Sequence, residues 1–88
     1  MELGLRDKVA AVTGGSQGIG LAVARGLAAE GVHLALCARD GERVEAVARD
    51  IETTYGVRCV AVAADAGQAD DLRRFVTAIV QAFGGVDS

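Results

Sequence analysis

Thr13-Gly14-Gly15-Ser16-Gln17-Gly18-Ile19-Gly20 joins an apolar run to a long helical pattern. The run before it, Lys8-Val9-Ala10-Ala11-Val12-Thr13, is too short for a buried helix and reads as a strand covered on both faces. Behind it, Ile19, Val23 and Leu27 repeat at i, i+4, i+8, a stripe suited to lying on a sheet. Four of the seven residues 14–20 are glycine, so this turn tolerates positive φ and leaves its amides uncovered. The helix behind points the positive end of its dipole, and its unpaired first-turn N–H groups, at the turn. A joint of this kind suits an anion, most often a phosphate.

Outward from the turn, the pattern repeats. Gly31 stands where a helix-ending glycine belongs, and residues 32–38 read as a second buried strand. Asp40 is a good N-cap, and Val44, Val47, Ala48, Ile51 and Tyr55 follow at helical spacing. Glu45 and Arg49 offer an i,i+4 ion pair on the wet face. After Gly56, residues 57–63 read as a third strand. Leu72, Phe75, Val76, Ile79, Val80 and Phe83 then trace a third helical stripe, closed by Gly84. The order β-α-β-α-β-α predicts an α/β fold with a parallel sheet and helical crossovers, within one domain spanning residues 1–88.

Composition narrows the function. An apolar fraction of 51% against 3% aromatic means a core of Ala, Val, Leu and Ile. The net charge of −3, with no Lys/Arg cluster, gives no nucleic-acid-binding face. No apolar run approaches the ~20 residues needed to span a bilayer, so no membrane partner is expected. Residues 1–8 carry charge too early and too often for a signal peptide. Cys37 and Cys59 fall in neighbouring strands, offset by ~4 residues and so separated by roughly 13 Å. A disulfide needs Cα atoms within ~7 Å, so buried free thiols in a reducing, cytoplasmic setting are expected.

Two common phosphate loops do not fit. The P-loop spacing would place a lysine after Gly20, and Leu21 stands there. The Gly-x-Gly-x-x-Gly fingerprint would need a small residue at Val23. The spacing present is Thr13-Gly14-x-x-x-Gly18-Ile19-Gly20. It resembles the cofactor motif of the short-chain dehydrogenase/reductase family over all eight residues, in the right strand–turn–helix context. The lead-in LGLRDKVAAVTGG, Asp65 after the third strand and the ending FGGVD resemble the first half of that family.

The resemblance implies a Rossmann-like half of a doubly wound fold, the N-terminal part of a larger domain. It also implies roles. Gly14, Gly18 and Gly20 shape the turn for a pyrophosphate, and the Ile19 N–H bonds a phosphate oxygen. Ser16 and Gln17 line the adenosine ribose side, and Thr13 braces the turn. Asp65 and Ala66 contact the adenine ring, although Asp65 also reads as a plain loop or cap residue. The cofactor choice lies at the end of the second strand, Cys37-Ala38-Arg39-Asp40. Ala38 stands where NAD-type members carry an acid, and Arg39 where NADP-type members carry a base. Asp40 is accounted for by capping. NADP(H) is therefore expected over NAD, with a guanidinium able to take a 2′-phosphate bidentately. Gln17 occupies a place where some NADP-type members carry a second basic residue.

The family's catalytic Ser and Tyr-x-x-x-Lys have no counterpart here, so no catalytic residue is assigned. Tyr55 is the only tyrosine, Cys59 stands four residues on, and Tyr55 belongs to a core stripe. His33, the only histidine, has no metal-ligand spacing around it and reads as structural, so no metal is expected. The first strand, central in the family's fold, would be an apolar edge in these 88 residues. Two readings stand: the cofactor-binding half of an oxidoreductase acting on a small carbonyl or alcohol substrate, or a dinucleotide-binding module without hydride transfer of its own. A homo-oligomer follows from the family likeness alone.

Overall fold

The computed structural model describes residues 8–14 and 17–84; Gly15, Ser16 and the segments 1–7 and 85–88 lie outside the described residues. The expected alternation is observed as β1 (Val9–Thr13), α1 (Gly18–Ala29), β2 (His33–Ala38), α2 (Gly41–Tyr55), β3 (Cys59–Ala63) and α3 (Ala69–Phe83). The three strands are parallel in the order β1-β2-β3. Thr13 lies opposite Cys37 and Ala38 opposite Ala63, so all three strands end at the same edge of the sheet.

β2 is the centre, and alternate side chains along it serve two cores. Leu34, Leu36 and Ala38 pack with Ala24 and Ala28 of α1 and with Val44, Ala48 and Ile51 of α2. Ala35 and Cys37 point the other way, to Phe75 and Ile79 of α3. Two helices therefore cover one face and one helix covers the other. On α2 the expected stripe is the buried one, with Val47 and Tyr55 at its margin. Asp40 caps this helix, its Oδ1 accepting from the Arg43 N–H at 3.1 Å.

Two stripes are only partly used. On α1, Ile19 is 85% exposed and Val23 is 48% exposed, while Ala24 and Ala28 form the buried face. Those two alanines are small enough to bring the helix close to the sheet, and that choice rotates Ile19 and Val23 away. On α3, Phe75 and Ile79 are buried, but Leu72, Val76 and Val80 stay exposed. α1 packs against β1, which stands at the edge of the sheet, and α3 packs against β3. Among the described residues the pair between Glu45 and Arg49 does not form; Asp50 of α2 instead accepts from Arg25 of α1 at 2.6 Å.

Both cysteines are free and buried. The register sets Leu34 opposite Cys59 and Cys37 opposite Val62, an offset of three residues rather than four. Burial pushes the Cys59 thiol up to about 12, with Glu52 nearby adding to it, and burial also raises Cys37. His33 serves the opposite end of the sheet from the turn. Its Nδ1 accepts from the Arg58 N–H at 2.9 Å and its ring stacks on Phe83, over which the Arg58 guanidinium sits at 4.7 Å. Among the described residues no helix is long and apolar enough to cross a membrane, and no cluster of His, Cys, Asp and Glu could hold a metal.

Candidate functional site

Because the strands are parallel and in register, the loops leaving their C-terminal ends converge. They enclose an open cleft of about 380 Å³. Its walls come from the turn after β1 (Gly14, Gln17), the end of β2 and start of α2 (Ala38, Arg39, Asp40, Arg43), and the loop after β3 (Ala64, Asp65, Ala66, Gly67), with Cys37 among the lining residues. In wound α/β sheets, ligands lie in crevices at this end of the strands.

The turn has the backbone its composition demands. Gly14 and Gly18 take φ of 68° and 62°, values that L side chains rarely adopt. A Cβ built at either would meet no atom within 4 Å, so the chain leaves open space beside both glycines. Gly14 also donates to the Cys37 carbonyl at 2.7 Å, extending the ladder between β1 and β2 into the turn. α1 starts without a side-chain cap and without an acid in its first turn. The Leu21 N–H reaches back to the Gln17 carbonyl at 3.3 Å as the first helical bond. The N–H groups of Gly18, Ile19 and Gly20 precede it and have no partner within the helix. An uncapped, acid-free helix start behind a glycine turn is electrostatically fitted to an anion.

The second wall supplies positive charge. Arg39 is exposed on the cleft and, among the described residues, has no hydrogen-bond or ion-pair partner. One helical turn on, Arg43 also lines the cleft, and its Nη1 donates to Gln17 Oε1 across the opening. The two carboxylates nearby are both engaged with backbone. Asp40 caps α2, and Asp65 Oδ1 accepts from the Gly67 N–H at 2.9 Å. The third wall is tied to the second where Ala64 N–H donates to the Ala38 carbonyl at 3.0 Å.

Of the residues expected from the sequence, Gly14, Gln17, Arg39, Asp65 and Ala66 are brought together in this cleft. Gly18, Ile19 and Gly20 form the start of α1 beside it, with the Ile19 side chain turned to solvent. Ser16 lies outside the described residues. Arg43 was missed. The signal existed, since it falls four residues after Arg39 and three after the Asp40 cap, on the helical face that continues the rim. It also provides, from α2, the second basic group that the loop lacks at Gln17.

A family model described as short chain dehydrogenase matches residues 8–88. The chain is 37% identical over 83 residues to dehydrogenase/reductase SDR family member 4 of Sus scrofa, covering 94% of this chain and 29% of that protein. It is 34% identical over 87 residues to the 3-oxoacyl-(acyl-carrier-protein) reductase FabG of Aquifex aeolicus, covering 99% and 35%. Among solved structures it resembles L-sorbose reductase from Gluconobacter frateurii, complexed with NADPH and L-sorbose. The TM-score there is 0.95 with 41% identity, covering 99% of this chain and 33% of that one. An alcohol dehydrogenase from Thermococcus sibiricus, complexed with 5-hydroxy-NADP, matches with a TM-score of 0.88 and 39% identity over 93% of this chain and 35% of that chain. The chain thus spans about a third of the length of these relatives.

Proposed function

The chain belongs to the short-chain dehydrogenase family, and from that premise we propose that it is the cofactor-binding half of an NADP(H)-dependent oxidoreductase acting on a small carbonyl or alcohol substrate. The observation that carries the cofactor choice is the pair of guanidinium groups on one rim of the cleft, Arg39 without a partner among the described residues and Arg43 held by Gln17. A 2′-phosphate is the part of the dinucleotide that such a rim recognises, and NAD lacks it. The neighbouring carboxylates are spent on backbone N–H groups, which weakens the case for ribose hydroxyls as their partners. The complexes of the sorbose reductase and of the archaeal alcohol dehydrogenase, with NADPH and 5-hydroxy-NADP, support the same reading.

The turn fits the group by its open glycines and bare helix start. Gly14, Gly18 and Gly20 would admit the pyrophosphate, with the Ile19 N–H on a phosphate oxygen. Ser16 and Gln17 would stand on the ribose side, Asp65 and Ala66 on the adenine side. When bound, the cofactor supplies or accepts the hydride; the residues of this chain hold and orient it. The uncovered faces at Ile19 and Val23 and at Leu72, Val76 and Val80 support a place within a larger domain that continues the sheet beyond β1. A cytoplasmic location accords with the two free thiols. A homo-oligomer is proposed by analogy with the family.

Titrating the chain with NADPH and NADH in parallel tests the cofactor reading. NADPH should bind at least about tenfold more tightly, the difference a charge-assisted hydrogen bond makes. Equal affinities, or tighter NADH, would overturn it.

A further inference from the structure

The third wall of the cleft is fixed from behind by α3. Arg74 Nη2 donates to the Ala63 carbonyl, the last of β3, at 2.8 Å and to Asp71 Oδ1 at 3.3 Å. The other oxygen of Asp71, Oδ2, accepts from the Asp65 N–H at 2.8 Å. One carboxylate therefore clamps the guanidinium with one oxygen and the loop backbone with the other. Asp65 completes the turn itself, through Oδ1 to the Gly67 N–H and through its carbonyl to the Gln68 N–H, each at 2.9 Å. Asp71 stands at i−4 and i−8 from Phe75 and Ile79, the buried residues that seat α3 on the sheet. Its carboxylate is thus carried on the docked row of the helix, and the clamp inherits the rigidity of that packing.

We propose that Asp71 and Arg74 are positioning residues for the adenine side of the cleft, holding Asp65 and Ala66 in the backbone conformation that receives the base. The inference rests on the cofactor reading given above. Neither residue lines the cleft itself, so both act through the loop they hold. The bond from the Asp65 N–H, and next the Arg74 guanidinium, keep the Asp71 carboxyl below its usual range. The clamp is accordingly intact at neutral and mildly acidic pH, and it is lost as pH falls through that lowered value.

The test uses the full chain with two probes. One is 2′,5′-ADP, the adenosine half of NADP. The other is ribose 2,5-bisphosphate, which presents the sugar and phosphates without the base. Asp71→Ala should weaken 2′,5′-ADP about tenfold, on the scale of one hydrogen bond to a charged group. Binding of ribose 2,5-bisphosphate should stay within about twofold, being free of the adenine contact. Asp71→Asn keeps an acceptor for the Asp65 N–H and should recover most of the loss. Should Asp71→Ala not fold, Arg74→Met, which removes the bonds to the Ala63 carbonyl and to Asp71, carries the same two-probe comparison. Equal weakening of both probes, or no weakening of 2′,5′-ADP in a folded variant, overturns the proposal. If the unmutated chain binds neither probe, the cofactor reading itself fails, a result distinct from the other two.

Discussion

Arg39→Asp is the substitution that asks most of the cofactor reading. A unit charge pair ~4 Å apart is worth about 1 kcal/mol in water and about 4 kcal/mol at the effective dielectric near a protein surface. Arg39 is exposed, so the lower part of that range applies. The 2′-phosphate carries more than one negative charge, and the new carboxylate replaces attraction with repulsion. Together these make about 3 kcal/mol, or about 150-fold in the Kd for NADPH. NADH has no 2′-phosphate, and its affinity should hold or improve slightly, because a carboxylate there can accept from ribose hydroxyls. Fluorescence titration with both cofactors, at low and high ionic strength, reads the effect. The preference of the unmutated chain for NADPH should shrink as salt rises, since exposed charges are screened over about 10 Å at 0.1 M. Arg43→Gln should act in the same direction but more weakly, because Gln17 already shares that guanidinium. A folded Arg39→Asp chain whose NADPH affinity stays within about threefold of the parent would refute the reasoning.

Leu36 is fully buried at the centre of β2, and Leu36→Ala should cost about 3 kcal/mol, lowering the urea midpoint by about 2 M. Leu72→Ala, at a site 42% exposed, should cost well under half of that; equal losses at the two sites would contradict the placement of the core. The Cys59 thiol, pushed up from 9.0 to about 12 by burial, links stability to alkaline pH. The folded chain keeps this proton where the unfolded chain has released it. Stability is therefore full below about pH 9 and falls as pH rises toward about 12. Comparing the unfolding midpoint at neutral and alkaline pH with that of Cys59→Ala isolates the contribution, and identical slopes would remove it.

Much of the fold was legible because its signals are local. Glycines at 31, 56 and 84 mark where helices stop, and short runs of Val, Ala and Leu mark strands that must be covered on both faces. The α2 stripe of Val44, Ala48 and Ile51 was read correctly because that helix is polar on its other side. The α1 stripe was not. Ile19, Leu21, Val23, Ala24, Leu27 and Ala28 surround much of that helix with apolar groups, so periodicity alone could not choose the buried face. Contact with the sheet chose the alanines, which allow the closest approach.

The candidate site divides in the same way. The glycine turn, Arg39 and the loop at Asp65 are visible in the sequence because each occupies a fixed place relative to the end of a strand. Parallel pairing in register is what then carries them to one edge. The bond from Arg43 to Gln17 spans 26 residues and the register of Cys37 against Val62 spans another crossover; no local pattern encodes either. The clamp of Asp71 and Arg74 on the end of β3 depends on how α3 docks through Phe75 and Ile79. The sequence by itself determined the order of elements, the anion-fitted turn and the basic residue beside it, since backbone preference and spacing suffice for these. Only the tertiary structure decided which apolar faces are covered and which side chains hold the walls of the cleft, because those outcomes are set by contacts between distant segments.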